Sequence, residues 1–188
     1  MKYKQFGNTG ARVSELTYGT DNFGNRHGAD EETSRRLLGT VLDACINHID
    51  TADSYAENRS EEIIGRYLKD TGRRDEVFLT TKVRSRVGDG PNDIGASRYH
   101  VMAGIEASLR RLQTDHVDLY LIHSFDPTTP VEETVRALDD VVRAGKARYV
   151  GCSNWPAWRL MQALWISDVN GLARFDCIQS VFNLLQPS

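Results

Sequence analysis

The chain has 188 residues and a net charge of −3, and hydrophobic residues make up 40% of it. This length suits a single domain with a real core, and the charge balance argues against a nucleic-acid partner. No apolar stretch approaches the roughly 18 residues that a membrane span needs. The amino terminus has no apolar region typical of a secretory signal, and the three cysteines form no disulfide or zinc pattern. We therefore expect a cytoplasmic protein without a membrane partner.

The opening segment predicts a small β-hairpin, because apolar residues alternate around a glycine- and asparagine-rich turn between Tyr3 and Val13. After it, a short apolar run, a polar loop and an amphipathic helix recur in the same order. The runs are mostly apolar throughout, as expected for strands buried on both faces of a parallel sheet. The predicted strands are residues 13–19, 46–51, 77–83, 117–123, 147–153 and 175–182.

The segments between these strands predict helices. Asp30 is expected to cap the first helix, and the second is expected to begin at Ser60, with acidic residues in its first turn. The fourth helix has the clearest start, with Thr129 as its cap, Pro130 at its first position and Glu132 completing a capping box. The fifth helix is expected to bury an apolar stripe formed by Leu160, Met161, Leu164 and Trp165.

Alternating strands and helices imply an α/β fold with a parallel sheet. A doubly wound sheet and a (β/α)8 barrel both fit this order, but no predicted strand is followed by a dinucleotide fingerprint or a phosphate loop. A polar residue lies at the carboxyl end of each predicted strand, where barrel enzymes carry their chemistry. These residues are Thr20, Asp50, Lys82, His123, Asn154 and Gln179.

Four ionisable side chains near these strand ends could act together: Asp50, Tyr55, Lys82 and His123. Each alone has an ordinary structural explanation, such as a cap or a buried histidine. As a group, a lysine ammonium favours the phenolate form of a nearby tyrosine, an aspartate holds the lysine, and a histidine orients a bound oxygen. Such a set would protonate an oxygen as negative charge develops on it, as in the reduction of a carbonyl. The histidine spacing indicates no metal site.

The same residues lie in motifs that resemble the aldo-keto reductase family, in particular bacterial-type members related to potassium-channel β subunits. The stretch around Asp50 and Tyr55 resembles the family's catalytic signature, and those around Lys82 and His123 resemble its lysine and histidine strands. Two later stretches resemble its fifth and sixth strands. In chain order, the matching stretches are residues 47–55, 80–83, 118–126, 145–154 and 179–185.

This resemblance implies a (β/α)8 barrel that binds an extended nicotinamide cofactor, usually NADPH, with NADH not excluded, and that reduces a small-molecule carbonyl substrate. It implies that Tyr55 donates the proton with help from Lys82. It further implies that Asp50 pairs with Lys82 and that His123 orients the carbonyl. The implied cofactor contacts are Gly19, Thr20, Asp50, Ser153, Asn154 and Gln179, of which the last three would hold the nicotinamide carboxamide.

The sequence departs from the family pattern in two respects. Cys45 stands where a helix-ending glycine is usual, so we expect backbone strain if φ is positive there. About six βα units can be counted, so we expect one domain over residues 1–188 that lacks the last two units of the barrel. A sheet of this kind would present two unpaired edges, through which copies of the chain could self-associate.

Three interpretations stay open at this point. The first is an NAD(P)H-dependent oxidoreductase that reduces aldehydes or ketones to alcohols, with tyrosine as proton donor. The second is a catalytically weak or inactive cofactor-binding or scaffold protein, as the channel-subunit relatives suggest. The third is a remnant that binds no cofactor. The intact set Asp50, Tyr55, Lys82 and His123 does not separate the first from the second.

Overall fold

A computed structural model of the chain describes residues 1–25 and 27–185. Its strands are β1 Tyr3–Gln5, β2 Arg12–Ser14, β3 Thr17–Gly19, β4 His48–Asp50, β5 Phe78–Val83, β6 Val117–Ile122, β7 Ala147–Ser153 and β8 Phe175–Gln179. Its helices are α1 Glu31–Asp43, α2 Arg59–Thr71, α3 Arg98–Leu112, α4 Val131–Arg143 and α5 Ala157–Asn170, and a short 3₁₀ turn covers Arg74–Glu76.

The strands β3 to β8 form one curled sheet in sequence order, and every neighbouring pair is parallel. A helix connects each strand to the next, as in an α/β barrel. The predicted fold class, an incomplete (β/α)8 barrel with an amino-terminal hairpin, is confirmed. Within the described residues, β3 and β8 each have a single strand neighbour and form the two edges of the sheet.

The predicted first strand, residues 13–19, is in fact two strands. The segment β2 pairs with β1 in the hairpin, whereas β3 pairs with β4 in the main sheet. The chain breaks between them because the Ser14 hydroxyl donates to the carbonyl of Leu16 at 2.6 Å. The amide of Ser14 also donates to Oδ1 of Asn47 at 2.7 Å, which ties the break to the start of β4.

The core has two parts, one on each face of the sheet. The larger part lies between the sheet and the helices, and every residue of β5 and β6 is buried. The smaller part lies inside the barrel, where Phe6 of the hairpin packs on Phe78 with ring centroids 5.0 Å apart, beside Leu119 and Leu121. The hairpin therefore fills the interior beside Phe78, at the amino-terminal end of β5, and leaves the carboxyl ends of the strands for chemistry.

The helix boundaries confirm one predicted cap and correct another. The carboxylate of Asp30 accepts from the amide of Thr33 at 2.8 Å and caps α1, as expected. The capping box predicted for α4 is wrong, since Pro130 is the N-cap and makes no side-chain cap bond. The helix begins one residue later than predicted, and the hydroxyl of Thr129 donates to Asp126 in the preceding loop at 2.7 Å.

Two of the four residues in the stripe predicted for α5, Leu160 and Leu164, are partly buried and pack against the core. Met161 and Trp165 are each 63% exposed, whereas the buried positions of α5 are Ala163, Ile166 and Ser167. Since apolar residues occur around most of this helix, their spacing alone does not identify the buried side. No helix in the described ranges is long and apolar enough to cross a membrane.

The strain expected at Cys45 is present, because its φ is +62°, in the left-handed region. We predict that Cys45→Gly raises the free energy of unfolding by about 0.5–1 kcal/mol, since glycine adopts this conformation without a Cβ clash. The neighbouring Ala44, with φ of −78°, is a matched control, and Ala44→Gly should lower stability instead. Urea unfolding of both variants checks this, and a loss of stability in Cys45→Gly would contradict it.

Candidate active site

Lys82 connects the candidate residues on β4 and β5. It is only 1% exposed, and its Nζ atom lies 2.6 Å from Oδ2 of Asp50. The ammonium also donates to the carbonyl of Thr51 at 3.0 Å and to the hydroxyl of Tyr55 at 3.2 Å. An ammonium has three hydrogens to donate, so these three acceptors satisfy it completely.

Tyr55 is half-buried and lies between Lys82 and His123. The Nζ atom of Lys82 is 5.0 Å from the centre of the Tyr55 ring. The rings of Tyr55 and His123 meet edge to face, with centroids 5.7 Å apart and planes at 75°. The structure thus brings together the side chains of Asp50, Tyr55, Lys82 and His123 at the carboxyl ends of β4, β5 and β6.

A hydroxyl network fixes the strand ends beneath this site. The hydroxyl of the fully buried Thr20 donates to the carbonyl of Asp50 at 2.9 Å. The Ser60 hydroxyl lies 2.9 Å from that of Thr20 and 3.0 Å from that of Thr51, so it joins α2 to both strand ends. Thr20 therefore contacts the backbone of Asp50 and supports its position.

The turn after Tyr55 is held by an unusual backbone conformation. Ala56, Glu57 and Asn58 all have positive φ, of 48°, 55° and 75°. The side-chain amide of Asn58 donates to the carbonyl of Asp53, which closes the turn. Such left-handed residues cost free energy and are concentrated at functional sites. In this chain they fix the backbone conformation immediately after Tyr55.

His123 is neutral near pH 7. Burial lowers its pKa to about 4, and the charge of Lys82 adds to this effect. Its Nδ1 atom is buried and has no hydrogen-bond partner among the described residues. A neutral imidazole has one N–H group, and it can donate this hydrogen to an oxygen bound beside Tyr55.

The sequence candidates at the ends of β7 and β8 form a second group. Ser153 and Gln179 are paired in the sheet register. The side-chain amide of Asn154 donates to the Ser153 hydroxyl at 3.1 Å, and the Asn154 backbone amide donates to the Gln179 carbonyl at 3.0 Å. One hydroxyl and two carboxamides supply both donors and acceptors, which fits the recognition of another carboxamide. Gly19 lies apart from this group on the edge strand, and a Cβ there would meet no atom within 4 Å.

The curl of the sheet directs β8 towards the catalytic candidates. Burial, followed by the charge of Asp50, raises the pKa of Cys177 to about 11. Asp50 ends β4 and Cys177 belongs to β8, and three strands separate these two in the sheet. The charge of Asp50 raises the pKa of Cys177 because the curl of the sheet turns both strands towards one interior.

Sequence reasoning missed a buried acidic pair beneath the site. Asp53 is 1% exposed, and neither of its carboxylate oxygens has a hydrogen-bond partner among the described residues. Burial raises its pKa to about 8, and the charge of Glu61 adds to this shift. Glu61 is itself fully buried, 2.6 Å from Nε of Arg111 and 2.5 Å from the hydroxyl of Thr81. A signal was present, because Glu61 shares a helix face with the apolar Ile64 and Leu68.

The fold and the site define an α/β-barrel protein whose Asp, Tyr, Lys and His side chains meet at the carboxyl ends of its strands. The family model of the Aldo/keto reductase family matches residues 15–188. The chain therefore belongs to the aldo/keto reductase family, and the resemblance seen in its motifs is confirmed.

Three relatives illustrate this membership. The chain is 45% identical over 170 residues to a probable voltage-gated potassium channel subunit beta of Oryza sativa subsp. japonica, a match covering 89% of this chain and 51% of the relative. It is 42% identical over 172 residues to the uncharacterized oxidoreductase YrpG of Bacillus subtilis (strain 168), covering 87% and 52%. It is 35% identical over 188 residues to the aldo-keto reductase YhdN of the same strain, covering 99% and 55%. The chain spans about half the length of these curated relatives.

We predict that the imidazole of His123 titrates near pH 4 rather than near 6.5, because burial and the Lys82 ammonium disfavour its cation. NMR titration of ¹³C-labelled histidine rings measures this, with His123→Gln used to assign the signal. The Lys82→Met variant lacks the ammonium charge, so the midpoint of the His123 titration should rise. A midpoint near 6.5 in the unmodified chain would show that the ring is better solvated than the structure indicates.

Asp53 predicts a specific pH dependence of stability. In the unfolded chain its carboxyl loses the proton near pH 3.8, whereas in the folded chain it keeps the proton until about pH 8. The folded state binds more protons across this window, so the contribution of Asp53 is full below pH 3.8 and is lost as the pH rises to about 8.

When the pH rises from 5 to 8, we therefore expect the free energy of unfolding to fall less in Asp53→Asn than in the unmodified chain. The two falls should differ by at least about 1 kcal/mol. Urea unfolding at the two pH values measures the difference. Asp89 is exposed, so Asp89→Asn is the matched control and should follow the unmodified chain. An equal fall in stability for Asp53→Asn and Asp89→Asn would refute a buried, protonated Asp53.

Proposed function

We propose that this chain is an NADPH-dependent oxidoreductase that reduces aldehydes or ketones to alcohols, with Tyr55 as the proton donor. The observation that carries the proposal is the position of the Lys82 ammonium, bonded both to Asp50 at 2.6 Å and to the Tyr55 hydroxyl at 3.2 Å. Membership of the aldo/keto reductase family and relatives named as oxidoreductases support it.

The hydrogen bonds around the Tyr55 hydroxyl determine where its proton can be donated. Lys82 donates to the oxygen of Tyr55, so that oxygen acts as an acceptor towards the lysine. The hydroxyl hydrogen of Tyr55 makes no hydrogen bond to any described residue, and it is free to be donated to a substrate oxygen. As this proton leaves, the phenolate that forms is stabilised by the adjacent ammonium.

The other two side chains hold this arrangement and complete it. Asp50 compensates the charge of the buried lysine and fixes its position. Neutral His123, whose ring meets that of Tyr55, donates its N–H to the carbonyl oxygen and so aligns the oxygen with the phenol. Two donors then converge on the oxygen where negative charge develops.

The cofactor would be held at the ends of β7 and β8. A bound nicotinamide cofactor supplies the hydride that the carbonyl carbon receives. Ser153, Asn154 and Gln179 offer the donors and acceptors that a nicotinamide carboxamide requires, and Ser153 is 2% exposed, so it is fixed in place. NADPH is proposed because the family resemblance implies it.

A cofactor-binding subunit with little turnover is the second candidate function. It is favoured by the 45% identity to a protein named as a probable potassium channel subunit beta. Repeated oxidation of NADPH with an aromatic aldehyde would support the enzyme. Cofactor binding without repeated turnover would support the subunit.

We predict that Tyr55→Phe lowers the rate of 4-nitrobenzaldehyde reduction by at least about 100-fold, because a positioned general acid contributes about 10²–10⁴ to a rate. NADPH binding, followed by quenching of tryptophan fluorescence, should change by less than about twofold, since the lost hydroxyl is not assigned to the cofactor. Tyr99, 69% exposed on α3, is the control, and Tyr99→Phe should leave both quantities unchanged. Equal losses of turnover and binding in Tyr55→Phe would refute the role of proton donor.

A further inference from the structure

Arg84 is the first residue after β5, two positions beyond Lys82. Its φ is +127°, a backbone conformation that residues other than glycine rarely adopt. Its carbonyl accepts from the amide of Gly95 at 2.9 Å, which closes the loop between β5 and α3. Strained backbone of this kind persists only where the surrounding structure over-determines it, and it is concentrated at active sites and ligand-binding sites.

The guanidinium of Arg84 has hydrogens to spare. It is half-buried, and its Nε atom is buried without a partner among the described residues. Its Nη2 atom has one long contact, 3.5 Å, with the carbonyl of Phe125. No acidic residue in the described ranges forms an ion pair with it. A partly desolvated, uncompensated cation is costly unless it binds an anion.

The other partly buried arginines among the described residues have partners. Arg74 lies 2.9 Å from Asp118, and Arg111 lies 2.6 Å from Glu61. Arg159 stacks over Trp158 at 3.8 Å and over the ring of Phe125 at 4.9 Å. Arg84 has neither an acid nor an aromatic ring as a partner, so among the partly buried arginines that the structure describes, its charge is the one that local packing leaves unexplained.

The position of Arg84 connects it to the catalytic candidates. The amide of His123 donates to the carbonyl of Val83, the residue before Arg84, at 2.8 Å. The Arg84 guanidinium contacts Phe125, two residues beyond His123. Its positive charge also contributes to the low pKa of His123, so it is felt at the site itself.

We infer that Arg84 selects carbonyl substrates that carry a second, negatively charged group such as a carboxylate. The guanidinium fork matches a carboxylate with two parallel hydrogen bonds, which a neutral group does not replace. A substrate carboxylate at Arg84 would anchor the molecule beside His123 and leave its carbonyl for Tyr55. This inference rests on the proposed function, and it names the substrate class of the same site.

The test compares 3- and 4-formylbenzoate with their neutral methyl esters, in the full 188-residue chain and its variants. Isothermal titration gives the Kd of each compound, and NADPH oxidation gives kcat/KM. We expect the unmodified chain to prefer at least one formylbenzoate over its ester. Arg84→Met should weaken binding of that anion by about 10- to 100-fold and leave the ester within about twofold. Arg84→Lys should keep part of the preference, because it keeps the charge without the fork.

The controls separate the inference from the proposed function. Arg159→Met removes an arginine that contacts the same Phe125 through its ring, and it should not change the charge preference. Circular dichroism melting checks that each variant is folded. A preference seen in titration without any NADPH oxidation would support the inference while the proposed function fails.

Two results would overturn the inference. One is that Arg84→Met changes the Kd of the formylbenzoate and of its methyl ester equally, or changes neither. The other is a loss of NADPH binding in Arg84→Met with no change in the charge preference, which would assign the arginine to a cofactor phosphate.

Discussion

A lysine ammonium buried at the end of β5 is the constraint on which the rest of the site depends. Lys82 is 1% exposed, and removing a partner from such a charge typically costs about 3–5 kcal/mol. Asp50 must therefore end β4 in the adjacent position, and the backbone of Thr51 must turn its carbonyl inward. The third hydrogen of the ammonium then requires another acceptor, and Tyr55 supplies it. The requirement to compensate one charge thus fixes the two strand ends and the tyrosine that follows them.

The acidic side chains beneath the loop that carries Tyr55 contribute little net negative charge to the site. Asp53 and Glu61 are buried beneath it, where the Arg111 guanidinium compensates Glu61. Lys82 and Arg84 belong to β5 and the residue beyond it, and their charges help to keep His123 neutral. Because burial holds the proton on Asp53, the acidic pair adds less negative charge under the loop than two ionised carboxylates would. In the proposed reaction, the positive charges of Lys82 and Arg84 would therefore act on the developing oxyanion with little opposing charge from beneath the loop.

The sequence predicted what depends on local pattern and failed where tertiary contacts compete. The parallel strands could be predicted because runs such as β6 are mostly apolar without a regular alternation, and the four catalytic candidates because each lies at or just after a strand end. The capping box of α4 failed because the helix begins one residue later than predicted, with Pro130 as its N-cap, and the Thr129 hydroxyl bonds Asp126 in the preceding loop. Only half of the stripe predicted for α5 was correct, because apolar residues surround that helix and their spacing does not distinguish Leu160 and Leu164 from the exposed Met161 and Trp165. Glu61 was missed because acidic residues in the first turn of a helix favour its dipole wherever they face, although its position beside Ile64 and Leu68 indicated burial. The strained φ of Arg84 and its lack of an acidic partner depend on the tertiary structure, so no sequence pattern predicts them.

The fold separates stability and chemistry along the axis of the sheet. Near the amino-terminal ends of the strands, the hairpin fills the interior with aromatic rings, and Phe6 packs on Phe78, which in turn stacks with Tyr149 at 6.1 Å. His48, also at that end, is held between the hydroxyls of Thr17 and Thr80, and burial lowers its pKa to about 4, so it stays neutral. Its two ring nitrogens are both occupied, whereas His123 at the opposite end has an unpartnered Nδ1. Two partly buried histidines with low pKa values thus differ in what surrounds them, and of these two only His123, at the carboxyl ends, has a ring nitrogen without a partner among the described residues.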